Sequence, residues 1–349
     1  MTTFTKSPLI RTAIALAIGA IGAIVGWLVG LPLFPLMGPA LCVAAVALMG
    51  VPLTLDTRVR DAAFLVIGIG IGTGVDAQAQ AAFLRWPIAF AALAVLLVLI
   101  LLISRFLLSR VFGFDRRGAV LASTPGHLSY VLSLGAEIHA DLTRIVVVQS
   151  VRILAMTVAV PFLLIAMGFD VSSGISRAGE VMSWGHFSVL LVLGLAVGLL
   201  FQRIRVPAAM LIAGMAASSV GHLSEMTPGQ LDPVLALLGY VTIGTLIGSR
   251  FTGITLAHLR AAALAGVVTT GVALGLAAGF AVPVAAFLGI PVAHVLVAFA
   301  PGGLDTMLAM GAMLGADPGF VAASHVGRLL ILTALVPLFI ARAGKPATE

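Results

Sequence analysis

Apolar residues run along this chain in long blocks, and charged residues are confined to the short gaps between them. A helix crossing about 30 Å of hydrocarbon takes about twenty apolar residues, fewer where it is packed inside protein. In the first half the predicted spans are 13–33, 36–50, 61–75, 82–104 and 142–168. In the second half they are 186–202, 207–222, 233–249, 262–288 and 318–341. Each half holds one more apolar segment that is interrupted, 116–138 by Pro125-Gly126 and 292–314 by Pro301-Gly302. The order of elements is the same twice. The expected fold class is an all-α polytopic membrane protein with a broken or re-entrant Pro-Gly helix in each half.

The halves also agree residue by residue. Laid without a gap over 298–337, residues 122–161 coincide at fourteen of forty positions, among them Pro125/Pro301, Gly126/Gly302, Asp141/Asp317 and Arg152/Arg328. In a chain so rich in Ala, Leu, Gly and Val, chance gives roughly a tenth of positions, so the match is a repeat. Upstream the register loosens: Gly70 and Gly74 align with Gly244 and Gly248 at a shift of 174, and Pro35 with Pro207 at 172. The expected organisation is an N-terminal repeat over 1–178 and a C-terminal repeat over 179–349.

Charge placement bears on how the copies face. If each interrupted segment dips in and returns to the same side, each repeat crosses five times and the two copies are inverted. With the N-terminus in the cytoplasm, Arg85 and Arg177 then fall outside and Arg152 and Arg328 within the membrane. The other fifteen of nineteen basic residues face the cytoplasm. If all twelve segments cross, eleven basic residues lie inside and six outside. The positive-inside rule favours inversion. Interrupted segments that cross, with another short segment that does not, serve equally well, so hairpin and broken crossing helix both stay open. The expected topology is multi-pass, with both termini cytoplasmic.

Composition sharpens the class. Hydrophobic residues make up 61% of the chain and charged residues 9%, where a soluble chain is about a quarter charged. Mean hydropathy is +1.20, and lysine occurs only at Lys6 and Lys345. No soluble surface is built from so little charge. The net charge of +6 is spread through the gaps and forms no patch for nucleic acid. Cys42 is the single cysteine, which excludes a disulfide, a thiolate cluster and a redox pair within the chain. Lys6 and Arg11 precede the first block, but 13–33 is too long for the core of a signal peptide and reads as a retained helix.

The interrupted segments are where chemistry is expected. Proline lacks an N–H and glycine accepts unusual dihedrals, so helices stop at Pro125-Gly126 and Pro301-Gly302. A stop at membrane depth leaves carbonyls free at one half-helix end and N–H groups free at the next, tolerated only inside protein or beside a watery cavity. Half-helix N-termini suit an anion and C-terminal carbonyls suit a cation. One such break is an ordinary proline kink; two at equivalent places point to a transporter site. The polar residues that follow are His127, Ser129 and Tyr130 in one copy, and Gly303, Asp305 and Thr306 in the other. Asp305 is the sharpest candidate, since a carboxylate at membrane depth costs about 2.5–3.5 kcal/mol; it also suits a helix cap. The next spans carry Gln149 with Arg152, and His325 with Arg328, each pair spaced to share a helix face. An arginine fork suits a carboxylate or phosphate; a salt bridge of Arg328 with Asp305, or a shared architectural role for both arginines, explains them equally. His325 is either a proton carrier or a hydrogen-bonded core residue. Gly68, Gly70, Gly72 and Gly74 lack the strand and lysine of a nucleotide loop and read as helix packing.

These residues carry a family resemblance. Thr124-Pro125-Gly126-His127-Leu128 and Ala300-Pro301-Gly302-Gly303-Leu304, the Ala-Asp that follows each, Gln149-x-x-Arg152 and His325-x-x-Arg328, and Gly38-Pro39 after Leu31-Pro32 resemble the AbrB-type family of bacterial membrane proteins. The likeness covers nearly the whole chain. That family has carried labels such as ammonia monooxygenase and regulator, and its fold is similar to the cation/proton antiporter and anion-transporter superfamily. The resemblance implies a secondary transporter in a bacterial inner membrane, with an elevator-type mechanism as one form, and carries over no substrate. The residues speak against the labels. Seven histidines are scattered with no HxH, HxxH or HxxxH pair, unlike a copper or iron oxygenase. No helix-turn-helix or basic arm exists to bind DNA.

The expected function is secondary transport of a small anionic solute coupled to a proton or cation. The alternative is a membrane-embedded sensor or regulator that binds without transporting, and a channel is a third. No enzymatic activity and no cofactor are expected. The partners are membrane lipid, the solute and the coupling ion, with a homodimer left open and no nucleic acid.

Overall fold

A computed structural model describes residues 7–74, 86–126, 128–171 and 179–343. Its fourteen described helices fall in two runs of seven. The first run is α1 (Pro8–Leu28), α2 (Phe34–Leu48), α3 (Thr57–Gly72), α4 (Trp86–Arg110), α5 (Arg116–Ser123), α6 (Leu128–Glu137) and α7 (Leu142–Ala166). The second is α8 (Trp184–Arg203), α9 (Ala209–Leu223), α10 (Pro233–Ser249), α11 (Leu256–Leu288), α12 (Val292–Phe299), α13 (Leu304–Met313) and α14 (Pro318–Arg342). Among the described residues no strand occurs, only an isolated bridge between Val181 and Gln230. Six helices, α1, α4, α7, α8, α11 and α14, are long and apolar enough to cross a membrane. The chain is an all-helical polytopic membrane protein.

Helix ends follow local chemistry that hydropathy does not register. The predicted span 13–33 is the helix Pro8–Leu28. Pro8 opens it at the first turn, where no N–H is needed, and Gly30, at φ 70°, closes it. The predicted start at 262 moves back to Leu256, because the Thr255 hydroxyl accepts the His258 N–H at 3.2 Å. Asp115, Asp141 and Asp317 cap α5, α7 and α14 in the same way.

The helices pack into two groups, and each group draws on both runs. In one, α3 lies against α9 and α10 against α2, with α1 and α8 outside them. In the other, α11 lies against α7 and α14 against α4, with the short helices between. Contacts between the groups are sparse and run mainly through α3 and α10 to α13 and through α2 and α10 to α7.

Glycine makes the first group possible. A Cβ on Gly68 or Gly72 of α3 would strike the carbonyl oxygen of Leu211 or Met215 on α9; one on Gly244 or Gly248 of α10 would strike that of Leu36 or Ala40 on α2. The equivalent pairs are therefore Gly68/Gly244 and Gly72/Gly248, at the same shift of 176 as the later match. Gly70 and Gly74 are two residues out of phase with these partners, and sequence does not separate the registers because glycine stands at every second position from 68 to 74. Pro32 and Pro207 correspond likewise, each preceding a left-handed residue, Leu33 at φ 47° and Ala208 at φ 50°; Pro35 is not the partner.

Gly68→Val is expected to lower thermal stability in detergent by about 1–3 kcal/mol, the usual cost of forcing atoms into a packed contact. Gly275→Ala on α11, where an added Cβ meets open space, is expected to be neutral or to raise it slightly. Equal effects of the two substitutions would refute this account of the crossing.

Candidate functional site

Both interrupted segments double back. A Cβ on Gly135, near the end of α6, would lie 3.3 Å from the Leu121 side chain in α5. A straight helix would separate these residues by about 20 Å at 1.5 Å per residue. The Arg144 guanidinium at the start of α7 donates to the carbonyls of Phe112 (2.7 Å) and Gly113 (3.2 Å) just before α5, and lies over the Phe114 ring at 3.9 Å. The first segment thus leaves and returns at one place. Gly311 of α13 is set in the same way against Val297 of α12 and Val321 of α14. Of the two forms that the sequence left open, the hairpin is the one found.

Each turn is set by its proline. The residue before proline is held out of the helical region: Thr124 has ψ 116° and Ala300 ψ 129°. Gly126 follows at φ 88°, a conformation that glycine takes without strain.

The carbonyls stranded at these turns are bound by arginine. In the first hairpin, Arg152 donates to the Thr124 carbonyl (3.1 Å) and to the Gln149 side-chain oxygen, while the Gln149 amide donates to the carbonyls of Leu121 (3.1 Å) and Thr124 (2.9 Å). In the second, Arg328 donates to the carbonyls of Ala300 (2.9 Å) and Gly302 (2.8 Å). Both arginines are buried, and neither has a carboxylate partner among the described residues; the suggested Arg328–Asp305 salt bridge is absent. The two turns meet, since a Cβ on Gly126 would lie 3.0 Å from the Arg328 guanidinium.

The copies differ in how completely they are satisfied. His325 stands where Gln149 does, but its Nδ1 bonds the Val321 carbonyl of its own helix (3.0 Å) and its buried Nε2 has no partner. The buried hydroxyls of Ser324 and Thr306 also lack partners. Asp305 lies in the first turn of α13, buried, and caps nothing; Gly303 holds the cap position. Among the described residues its carboxylate has no hydrogen bond or ion pair.

A cavity of about 520 Å³ lies against the turns. Of the predicted site residues it reaches Gly126, Gln149, Arg152, Gly303 and Asp305. Pro125, Pro301, Gly302, Thr306, His325 and Arg328 are buried behind that wall, and Tyr130 packs half-buried on the core. His127 and the Ser129 side chain lie outside the described residues. Five polar lining residues escaped sequence reasoning: Arg60, Asp61, Gln202, Arg205 and Arg250. They occupy helix ends in the basic gaps, where charge reads as topology. Asp61 accepts from Arg60 (2.7 and 2.9 Å) and from Gln202 (2.9 Å), joining α3 to α8 at the mouth. Gln202 and Arg205 are exposed, so the cavity reaches the surface there. Among the described residues, no three of His, Cys, Asp and Glu gather as a metal site.

Residues 35–343 match the family described as "Transition state regulatory protein AbrB". The chain belongs to the AbrB family. It is 26% identical over 267 residues to "Uncharacterized protein YhjN" of Bacillus subtilis (strain 168), covering 70% of this chain and 68% of that one. It is 23% identical over 304 residues to "Putative regulator AbrB" of Escherichia coli (strain K12), covering 86% and 87%. In this AbrB-family chain the family match takes in both hairpins, both bracing arginines and the five cavity residues that motif reading missed.

The two braces give a matched test. Gln149→Leu, which removes a donor from each of the Leu121 and Thr124 carbonyls and the side-chain acceptor of Arg152, is expected to lower thermal stability by about 1–3 kcal/mol. His325→Gln places the same amide beside the second hairpin and is expected to raise stability by about 1 kcal/mol. A loss of stability in His325→Gln would refute equivalence of the two positions.

Proposed function

We propose that this protein is a secondary transporter of a small anionic solute, coupled to a proton or cation and moving by an elevator-type displacement. The observation that carries the reading is the charge of the cavity. Arg60, Arg152, Arg205 and Arg250 line it against Asp61 and Asp305, and Asp61 is taken up by Arg60. A buried guanidinium without a counter-ion is costly at membrane depth. An anion entering beside the hairpins supplies the missing charge. Asp305, unpaired and open to the same cavity, is the group that takes the coupling proton or cation, with the Thr306 hydroxyl beside it.

The architecture fits this use. Five crossing helices and one hairpin per repeat, with repeats over 1–178 and 179–349, make the copies inverted. The sparse seam between the two helix groups is where one group slides past the other. On the positive-inside rule the cavity mouth at Arg60, Arg205 and Arg250 faces the cytoplasm, as do both termini, in a bacterial inner membrane. No chemistry on the solute and no cofactor belong to this reading.

The test begins with purified protein and a thermal-stabilisation screen over carboxylates, amino acids and inorganic ions. The stabilising compounds are then assayed for uptake in liposomes under imposed pH or sodium gradients. Asp305→Asn is expected to fold with unchanged thermal stability and to lose gradient-driven uptake at least tenfold. Uptake and ion dependence unchanged in Asp305→Asn would remove Asp305 from the mechanism. Stabilisation without flux under every gradient would favour a sensor, and linear, non-saturating flux a channel.

A further inference from the structure

The cavity holds two kinds of arginine. Arg152, like its counterpart Arg328, is duplicated and braces hairpin carbonyls. Arg60, Arg205 and Arg250 are not duplicated: Ala236, Gly30 and Gly74 stand at the equivalent places. The backbone itself shows that Arg205 and Gly30 correspond, being left-handed at both, with φ 60° and 70°. Glycine adopts that conformation freely, whereas a side chain there costs about 1 kcal/mol or more. The duplicated scaffold does not require these arginines.

Sidedness alone does not account for them either. Arg58, Arg203 and Arg260 supply positive charge to the same gaps from exposed positions. Arg250 is different, because its Nε is buried without a hydrogen-bond partner while the residue lines the cavity. Its carbonyl lies 3.5 Å from the Ser150 hydroxyl on α7, which ties it next to the turn that carries Arg152. With Arg60 held by Asp61, Arg205 and Arg250 remain without a carboxylate among the described residues.

The rest of the wall is not built for a bare ion. Phe64, Met210, Leu246, Leu304 and Leu329 give it apolar surface, and its volume of about 520 Å³ falls within the range of clefts for organic ligands, about 300–1,000 Å³. We propose that Arg205 and Arg250 bind the carboxylate of a small organic monoanion whose carbon chain lies on this apolar surface. A guanidinium fork matches a carboxylate in shape and charge. Asp305 on the same wall opposes a second negative group. The inference rests on the transport reading for the solute's path and adds its chemical class and the residues that select it.

The probes are the sodium salts of acetate, butyrate and hexanoate and inorganic phosphate, titrated at constant ionic strength while thermal unfolding of the purified protein is followed. The half-saturating concentration is expected to fall by about two- to fourfold per added methylene, with phosphate weaker than hexanoate. Arg250→Gln is expected to weaken hexanoate at least tenfold and Arg250→Lys by less. Arg203→Gln, which removes the same charge outside the cavity, is expected to leave it unchanged. A flat chain-length series, phosphate binding as tightly as hexanoate, or Arg250→Gln behaving as Arg203→Gln would overturn the proposal while the transport reading stands. If none of these anions stabilises the wild-type protein, this proposal falls, and the transport reading is decided by the wider screen and the uptake assay.

Discussion

The structure depends on one electrostatic arrangement, a guanidinium laid against backbone carbonyls where a helix stops inside the membrane. A stopped helix strands oxygens that lipid cannot solvate, and each costs several kcal/mol left bare. Arg152 and Arg328 meet that need from the helix following each hairpin, one donating to Thr124 and the other to Ala300 and Gly302. The answer brings its own cost, since each brings a positive charge with no negative partner among the described residues. Much of the site's character follows from that surplus.

Duplication and divergence divide the labour. The features found twice are architectural: the proline turns, the bracing arginines, and the glycine crossings of α3 on α9 and α10 on α2. The features found once gather at the cavity or behind it: Asp305 in place of Ser129, His325 in place of Gln149, and arginines where the other copy has Ala236, Gly30 and Gly74. In the first copy the Gln149 amide donates to the backbone and its oxygen accepts from Arg152. In the second, the hydroxyls of Thr306 and Ser324 and the Nε2 of His325 are left unspent. A symmetric scaffold thereby carries an asymmetric interior.

The fold was largely legible, because a membrane requires long apolar blocks and a hairpin requires its proline and glycine. Hydropathy placed every span yet missed their ends by up to six residues, which Pro8, Gly30 and Thr255 set through single hydrogen bonds and dihedrals. The second gap was register: alternate glycines on α3 look alike in sequence, and only contact with the carbonyls of α9 separates Gly68 and Gly72 from Gly70. Half of the site was legible as well. Gly126, Gln149, Arg152, Gly303 and Asp305 were within reach because a motif surrounds them. Arg60, Asp61, Gln202, Arg205 and Arg250 lie far from the hairpins in sequence, in gaps where the positive-inside rule already anticipates basic residues. Only the packing of α3 and α10 against α13, with α8 beside α3, brings them to the same cavity.

The crossing of α3 on α9 also has a temporal side. Leu211 follows Gly68 by 143 positions, so at about 5–20 residues per second a ribosome needs roughly 7–30 s to deliver the helix that covers α3. Throughout that interval the glycine face of α3 has no backbone to meet and must be sheltered by lipid or by the insertion machinery. The first three helices therefore enter the bilayer as an unfinished surface, and the group they belong to closes only when α9 and α10 arrive.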